Sequence, residues 1–196
     1  MLISIEGIDG SGKTTISRKL YEHLKDKGYT VYLFREPGST KIGEKIRELL
    51  LYYNLSERSE LLLFESARAE LVTKKIIPLL KEDNIVILDR FYDSTTAYQG
   101  YGRGIDIEVV TILNNFATAG IKPNVTFLLD VTPETAIKRI GGTKDRFEEI
   151  EFLERVRKGF LRIAEEEKER IYVINAERDI ELIFKEVLSI LERYLC

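Results

Sequence analysis

Apolar residues along this chain follow two rhythms. Short unbroken runs recur at Leu2-Ile3-Ser4-Ile5, Tyr29 to Phe34, Ile85-Val86-Ile87-Leu88, Val125 to Val131 and Ile171-Tyr172-Val173-Ile174. Runs of that length and type read as strands covered on both faces. Between them the spacing lengthens to three or four residues. Ile16, Leu20 and Leu24 predict a helix from about Thr14 to Lys27, ended by Gly28. Ile42, Ile46, Leu49 and Leu50 share a face of a second helix, and Ser56 opens a long one reaching about Leu80. Further helices are expected over 105–119, from Pro133, over 147–170 and over 180–194. The Tyr/Thr/Gly-rich stretch from Phe91 to Gly104 reads as a loop, too polar and irregular for core. Strands alternating with helices predict an α/β fold: a five-stranded parallel sheet with helices on both faces, one domain over 1–196. Functional groups in such sheets gather at the carboxyl ends of the strands.

Composition narrows the class. Thirty Lys and Arg stand against 33 Asp and Glu, a net charge of −3. A nucleic-acid surface would need a basic excess or stripe, so no nucleic-acid partner is expected. The single cysteine, Cys196, has no internal disulfide partner. No apolar run approaches the roughly 18 residues of a membrane helix. The chain opens directly into a strand without a signal-peptide pattern. A cytoplasmic protein away from membranes is the expectation.

The strand ends carry the chemistry. Gly7-Ile8-Asp9-Gly10-Ser11-Gly12-Lys13-Thr14-Thr15 follows the first strand and enters the first helix. It reads G-x-x-x-x-G-K-T, a phosphate-binding loop in the strand–loop–helix setting that gives the motif meaning. The glycines let backbone N–H groups turn inward on phosphate oxygens, and the helix adds its positive end. Lys13 is expected on the β/γ-phosphates of a nucleotide and the Thr14 hydroxyl on Mg²⁺. Asp89 ends the third strand. An acid there suits the magnesium shell, and equally a turn or helix cap. Arg90 fits either a pair with Asp89 or a phosphate fork. Ser94 to Gly100 mixes amide, hydroxyl and aromatic groups suited to a base and sugar. Arg139, Lys144 and Arg146 surround Gly141-Gly142. A lid of about 139–148 closing on phosphates and a solvated turn both fit that cluster.

In their order and spacing, Glu6 to Thr15, Arg35-Glu36-Pro37-Gly38-Ser39-Thr40, Asp89-Arg90-Phe91, Ala97-Tyr98-Gln99-Gly100, Arg103-Gly104 and Asp145-Arg146-Phe147-Glu148 resemble thymidylate kinases over most of the chain. The phosphate loop alone says only nucleotide; the second and third blocks are specific. The resemblance implies transfer of the γ-phosphoryl of ATP to dTMP, with Mg²⁺. It implies that Asp9 contacts the sugar 3′-hydroxyl, Pro37 walls the acceptor pocket and Arg47 holds the dTMP phosphate. Phe64 would stack on the base and Arg68 reach the thymine edge; spacing alone would make Phe64 core. Arg90 would lie between donor and acceptor phosphates, Thr95 and Gln99 against thymine, and Tyr98 under the deoxyribose. Glu148 and Asp145 would lie near the acceptor phosphate. Family members are typically homodimers, and the stripe Ile105, Val109, Ile112, Leu113 and Phe116 fits such a contact or simple core packing.

One departure matters. Some members carry an arginine inside the phosphate loop where this chain has Gly10. The catalytic arginine must then come from the lid, with Arg146 first and Arg139 and Lys144 behind it. The attacking phosphate oxygen is already ionised, so catalysis is positioning and electrostatics by Lys13, Arg90, a lid arginine and Mg²⁺. A regulatory GTPase would need an N-K-x-D segment, which is lacking. A bare nucleotide-binding module does not explain Arg35, Arg47, Arg68 and Arg90 together. The nearest alternative is a kinase of another nucleoside monophosphate or small acceptor.

Overall fold

The computed structural model describes residues 1–141 and 147–195, without the side chains of 147 and 148. Its centre is a five-stranded, all-parallel sheet in the order β2-β3-β1-β4-β5. β1 (Leu2–Glu6), β3 (Ile85–Asp89) and β4 (Val125–Asp130) lie inside, β2 (Val31–Arg35) and β5 (Ile171–Asn175) at the edges. β1 pairs with β3 from Leu2↔Val86 to Ile5↔Asp89 and with β4 from Ile3↔Val125 to Glu6↔Leu128. Side chains alternate between two cores, as the pleat requires. Ile3, Ile5, Ile85 and Ile87 join the core under one face, while Leu2, Val86 and Leu88 join Leu71, Val72 and Ile76 under the other. The expectation of strands covered on both faces fails at the edges. Tyr32 on β2 and Val173 on β5 are 37% and 46% exposed, because an edge strand has a neighbour on one side only.

Helix α1 (Lys13–Asp26) buries Ile16, Leu20 and Leu24 against the sheet. Gly28 stops it with φ 90°, and the Tyr29 N–H returns to the Leu24 carbonyl at 3.1 Å. Helix α2 (Lys41–Tyr52) is capped by Thr40, whose Oγ1 accepts from the Gly43 N–H at 2.8 Å. On its apolar face only Ile46 is buried; Ile42 and Leu49 are exposed. The long helix starts at the Ser56 cap as α3 (Glu57–Leu71), widens to a π-helical turn over Val72–Ile76 and resumes as α4 (Ile77–Lys81). Pro78 is the cause. It has no N–H for the ladder and its ring crowds the carbonyl four residues back, which the wider turn relieves.

The stretch 91–104 corrects the loop reading. It is helical, α5 (Tyr92–Thr95) running into a π-helical segment, Thr96–Gly102, and much of it is buried. Low intrinsic propensity loses to tertiary packing. Helix α8 (Phe147–Glu166) lies so close that a Cβ on Gly102 would come within 2.8 Å of Phe152 and Val156. A Cβ on Gly159 of α8 would meet the Tyr101 Cβ at 2.6 Å. Helix α6 (Ile107–Thr118) decides between the two readings of its apolar stripe. Val109, Ile112 and Phe116 are 47%, 60% and 83% exposed, so that stripe is surface rather than core. Helix α7 (Pro133–Arg139) packs beside the phosphate loop, and α9 (Ile180–Leu191) closes the chain.

Candidate active site

The sheet brings three loops to one edge. The Arg90 N–H donates to the Ile5 carbonyl at 3.1 Å, and the Glu36 N–H to the Asp89 carbonyl at 3.0 Å. The segments after β1, β2 and β3 are thereby adjoining walls of one cleft.

In the phosphate loop Gly7, Gly10 and Gly12 have φ of 144°, 86° and 92°. That left-handed backbone is open to glycine and costly for other residues. Position 10 has a second constraint: a Cβ there would lie 2.3 Å from the Ala136 carbonyl oxygen of α7. An arginine could enter this loop only if α7 moved away, a physical reason for the departure at Gly10. Ile8 is buried, Thr15 is exposed, and the buried Ser11 Oγ has no hydrogen-bond partner among the described residues. An orphaned hydroxyl inside a ring of inward-turned glycines fits a phosphate oxygen.

Lys13, only 7% exposed, donates from Nζ to the Ile8 carbonyl and to Asp9 Oδ1, both at 3.2 Å. Burial, then the nearby Arg90 charge, pulls its amine down to about 8, against the pull of Asp9 and Asp89. Thr14 Oγ1 donates to Asp89 Oδ2 at 2.6 Å. These two hard oxygens are suited to Mg²⁺. Among the described residues no group of three or more His, Cys, Asp or Glu could hold an ion alone.

Arg90 joins the two halves of the cleft. Its backbone is left-handed, φ 72°, which turns the guanidinium back over the phosphate loop. Nη1 donates to the Gly7 carbonyl at 2.9 Å and to Ser94 Oγ at 3.0 Å; Nη2 donates to Asp9 Oδ1 at 2.7 Å and to the Tyr98 hydroxyl at 3.3 Å. The cation also sits 5.0 Å from the Tyr98 ring centroid. Burial alone would raise the Asp9 carboxyl, but Arg90 and Lys13 outweigh it and hold Asp9 below the usual carboxylate range. Behind Arg90 lies Glu6, fully buried at the end of β1. Its carboxylate accepts from Phe91 N–H at 2.6 Å, Ser94 Oγ at 2.5 Å and Ser4 Oγ at 2.7 Å. Burial, with Asp93 nearby, pushes Glu6 up to about 7. Sequence reasoning gave Glu6 no role; the only hint was an acid closing a buried apolar run.

Two cavities of about 430 and 420 Å³ meet at these groups. Lys13, Thr14 and Asp89 line the first, with Arg18, Arg35 and Glu44 across from them. Arg18 is a residue the sequence reading missed; it lies five positions after Lys13 on α1. Pro37, Phe64, Arg68, Thr95, Tyr98 and Gln99 line the second. Asp9, Glu36, Arg47 and Arg90 border both. Phe64 is half-buried and belongs to neither core, so its place is the cavity wall. Arg47 Nη1 donates to the Pro37 carbonyl at 3.1 Å. Arg68, 1% exposed, donates to Glu36, Glu65 and Thr95 at 2.8 Å each and to Asn114 at 3.0 Å. Burial pushes Glu36 up to about 7 in spite of Arg68.

Arg139 ends α7 outside both cavities. It donates to the Ala176 carbonyl at 2.8 Å and the Gly10 carbonyl at 3.4 Å, so its guanidinium leans on the phosphate loop from behind. The candidates Arg146, Lys144 and Asp145 lie outside the described residues. Glu148 falls in the first turn of α8, and its side chain is likewise outside them.

Such a cleft has known relatives. The family model for thymidylate kinase matches residues 5–187. The chain belongs to the thymidylate kinase family. It is 46% identical over 198 residues to the thymidylate kinase of Caldanaerobacter subterraneus subsp. tengcongensis, covering 98% of this chain and 95% of the relative. It is 49% identical over 197 residues to that of Sulfurihydrogenibium sp., covering 97% and 96%. The crystal structure of thymidylate kinase from Ehrlichia chaffeensis superposes with a TM-score of 0.85 at 42% identity, covering 98% of both chains. Membership in the thymidylate kinase family accounts for the α/β fold.

Proposed function

We propose that this chain phosphorylates dTMP to dTDP with ATP and Mg²⁺, in one kinase domain over 1–196 whose lid is about 139–148. The observation that carries this reading is Arg90, bonded at once to the Gly7 carbonyl of the phosphate loop and to Asp9 at the mouth of the second cavity. That position supports a role for Arg90 between the transferred phosphoryl and its acceptor.

An ionised phosphate oxygen of dTMP attacks the γ-phosphorus of ATP in line. The new P–O bond forms as the bond to the β-phosphate oxygen breaks, and ADP leaves with that electron pair. Lys13 and the loop N–H groups hold the donor phosphates, and Arg90 spans the transferred group. Arg47 takes the acceptor phosphate. Phe64, Arg68, Thr95 and Gln99 hold the base; Asp9 and Tyr98 hold the sugar. Glu148 and Arg146 complete the closed site, with Arg139 supporting the loop. Thr14 and Asp89 would hold a Mg²⁺ ion, which would supply neutralisation of phosphate charge. Among the described residues no helix is long and apolar enough to cross a membrane. A cytoplasmic setting, where dTMP and ATP are small-molecule partners, fits this chemistry. We also infer a homodimer through the exposed α6 stripe.

Incubation with ATP, Mg²⁺ and a panel of dTMP, dUMP, UMP, dCMP, AMP and GMP tests the reading. Preference for dTMP is the expected result. Preference for AMP, or for a non-nucleotide acceptor, would replace it with the alternative of a different small-acceptor kinase.

A further inference from the structure

Gln99 is 4% exposed and lines the second cavity. Its Nε2 donates to Glu60 Oε1 at 2.8 Å. Glu60 sits in the first turn of α3, and its other oxygen accepts from Arg103 Nη2 at 3.4 Å. A carboxylate only accepts hydrogen bonds. The NH₂ end of Gln99 must therefore face Glu60. The Gln99 carbonyl oxygen is left at the other end, and it takes no hydrogen bond from any described residue.

Arg68 lines the same cavity. Four of the five guanidinium N–H groups are spent on Glu36, Glu65, Asn114 and Thr95, which leaves one, on Nη2. Together Gln99 and Arg68 thus bring an acceptor, the Gln99 carbonyl, and a donor, the Arg68 N–H, to this wall. A thymine or uracil ring presents the complement, N3–H beside C4=O. Cytosine presents the reverse, an N3 lone pair beside an amino group. A flipped Gln99 would show its N–H groups to the cavity and match cytosine N3. Glu60 opposes that flip, because the flipped carbonyl would face a carboxylate with no proton between them.

We propose that Glu60 is a positioning residue for the base, fixing the polarity of the Gln99 amide so that the acceptor cavity selects an imide edge. The proposal rests on reading this cavity as the dTMP site. Glu60 itself touches no substrate; it acts through Gln99.

The test is steady-state kinetics of wild type, E60Q, Q99A and the double variant with dTMP and dCMP. Glu60→Gln keeps the shape and can either accept or donate, so it releases the amide flip. The dTMP-over-dCMP ratio of kcat/KM should narrow about tenfold, as expected when one base-reading hydrogen bond loses its direction. The KM for ATP should stay unchanged. In the Gln99→Ala background, Glu60→Gln should have no further effect on that ratio. An unchanged ratio in E60Q, or the same shift in the Q99A background, would overturn the proposal. Should E60Q not fold, the Gln99 side-chain NH₂ resonances of the wild type decide. They should stay nearly still on dTMP binding, and a large shift would overturn the assignment. Wild type failing to phosphorylate dTMP would overturn the function itself, a result separable from the Glu60 ratios.

Discussion

Thr14 Oγ1 and Asp89 Oδ2 are 2.6 Å apart although 75 positions separate them. The register Ile5↔Asp89 between β1 and β3 creates the contact by setting the start of α1 beside the end of the neighbouring strand. Their hydrogen bond marks where two hard oxygens converge beside the phosphate loop. Thr14→Ala should therefore raise the free Mg²⁺ needed for half-maximal rate by about tenfold, and Asp89→Asn should do the same, consistent with loss of a ligand or outer-sphere partner. Initial rates against free Mg²⁺ at fixed ATP give the answer; an unchanged magnesium profile in both variants would sink the assignment.

Lys13 links ATP binding to pH. Its amine is pulled down to about 8 in the ligand-free protein, chiefly by burial. Phosphates arriving beside it favour the charged form and raise that value. The sign follows: below about 8 the amine is already charged and binding moves no proton, whereas above it binding draws one in. Calorimetry in buffers of different ionisation enthalpy should find close to one proton taken up at about pH 9 and almost none at about pH 6.5. Lys13→Met should abolish the difference. Equal uptake at both pH values would refute it.

The cluster around Arg68 is a stability device as well as a wall. Arg68 is 1% exposed and its side chain pairs with two buried carboxylates, Glu36 and Glu65. Arg68→Met would leave both acids without their cation, at a cost of about 3–5 kcal/mol. Glu36 already sits at about 7, above its ordinary 4.5, and loss of Arg68 would raise it further. A raised carboxyl binds protons in the folded chain that the unfolded chain has lost, so stability falls as pH rises through that window. The deficit in Tm of the variant should thus be larger at about pH 8 than at about pH 5.5. A deficit independent of pH would argue for simple packing loss.

Phe116 is 83% exposed on α6, with Ile112 and Val109 beside it. An apolar stripe of that kind is suited to a copy of itself across a two-fold axis. Wild type should sediment as a dimer at tens of micromolar (~10⁻⁵ M), and Phe116→Glu as a monomer. A monomeric wild type at that concentration would remove this contact from the account.

Much of the architecture was legible in the order of residues. Five apolar runs separated by helical periods point to a parallel sheet, because burial on two faces favours such runs, as it does in the three inner strands. The phosphate loop was legible too, since its glycines and Lys13 act through local backbone geometry. What the chain pattern left open is what each apolar or polar face meets. Phe64 has helical core spacing yet lines a cavity, and Ile112 has the same spacing yet faces solvent. The stretch 91–104 is rich in Gly, Thr and Tyr yet largely helical, and α8 packs against it at Gly102. Glu60 and Gln99 lie 39 positions apart, and nothing between them announces a 2.8 Å bond. Periodicity records that a face is covered or a turn is possible. The partner, and with it the direction of every donor and acceptor in the site, is chosen only when distant segments pack.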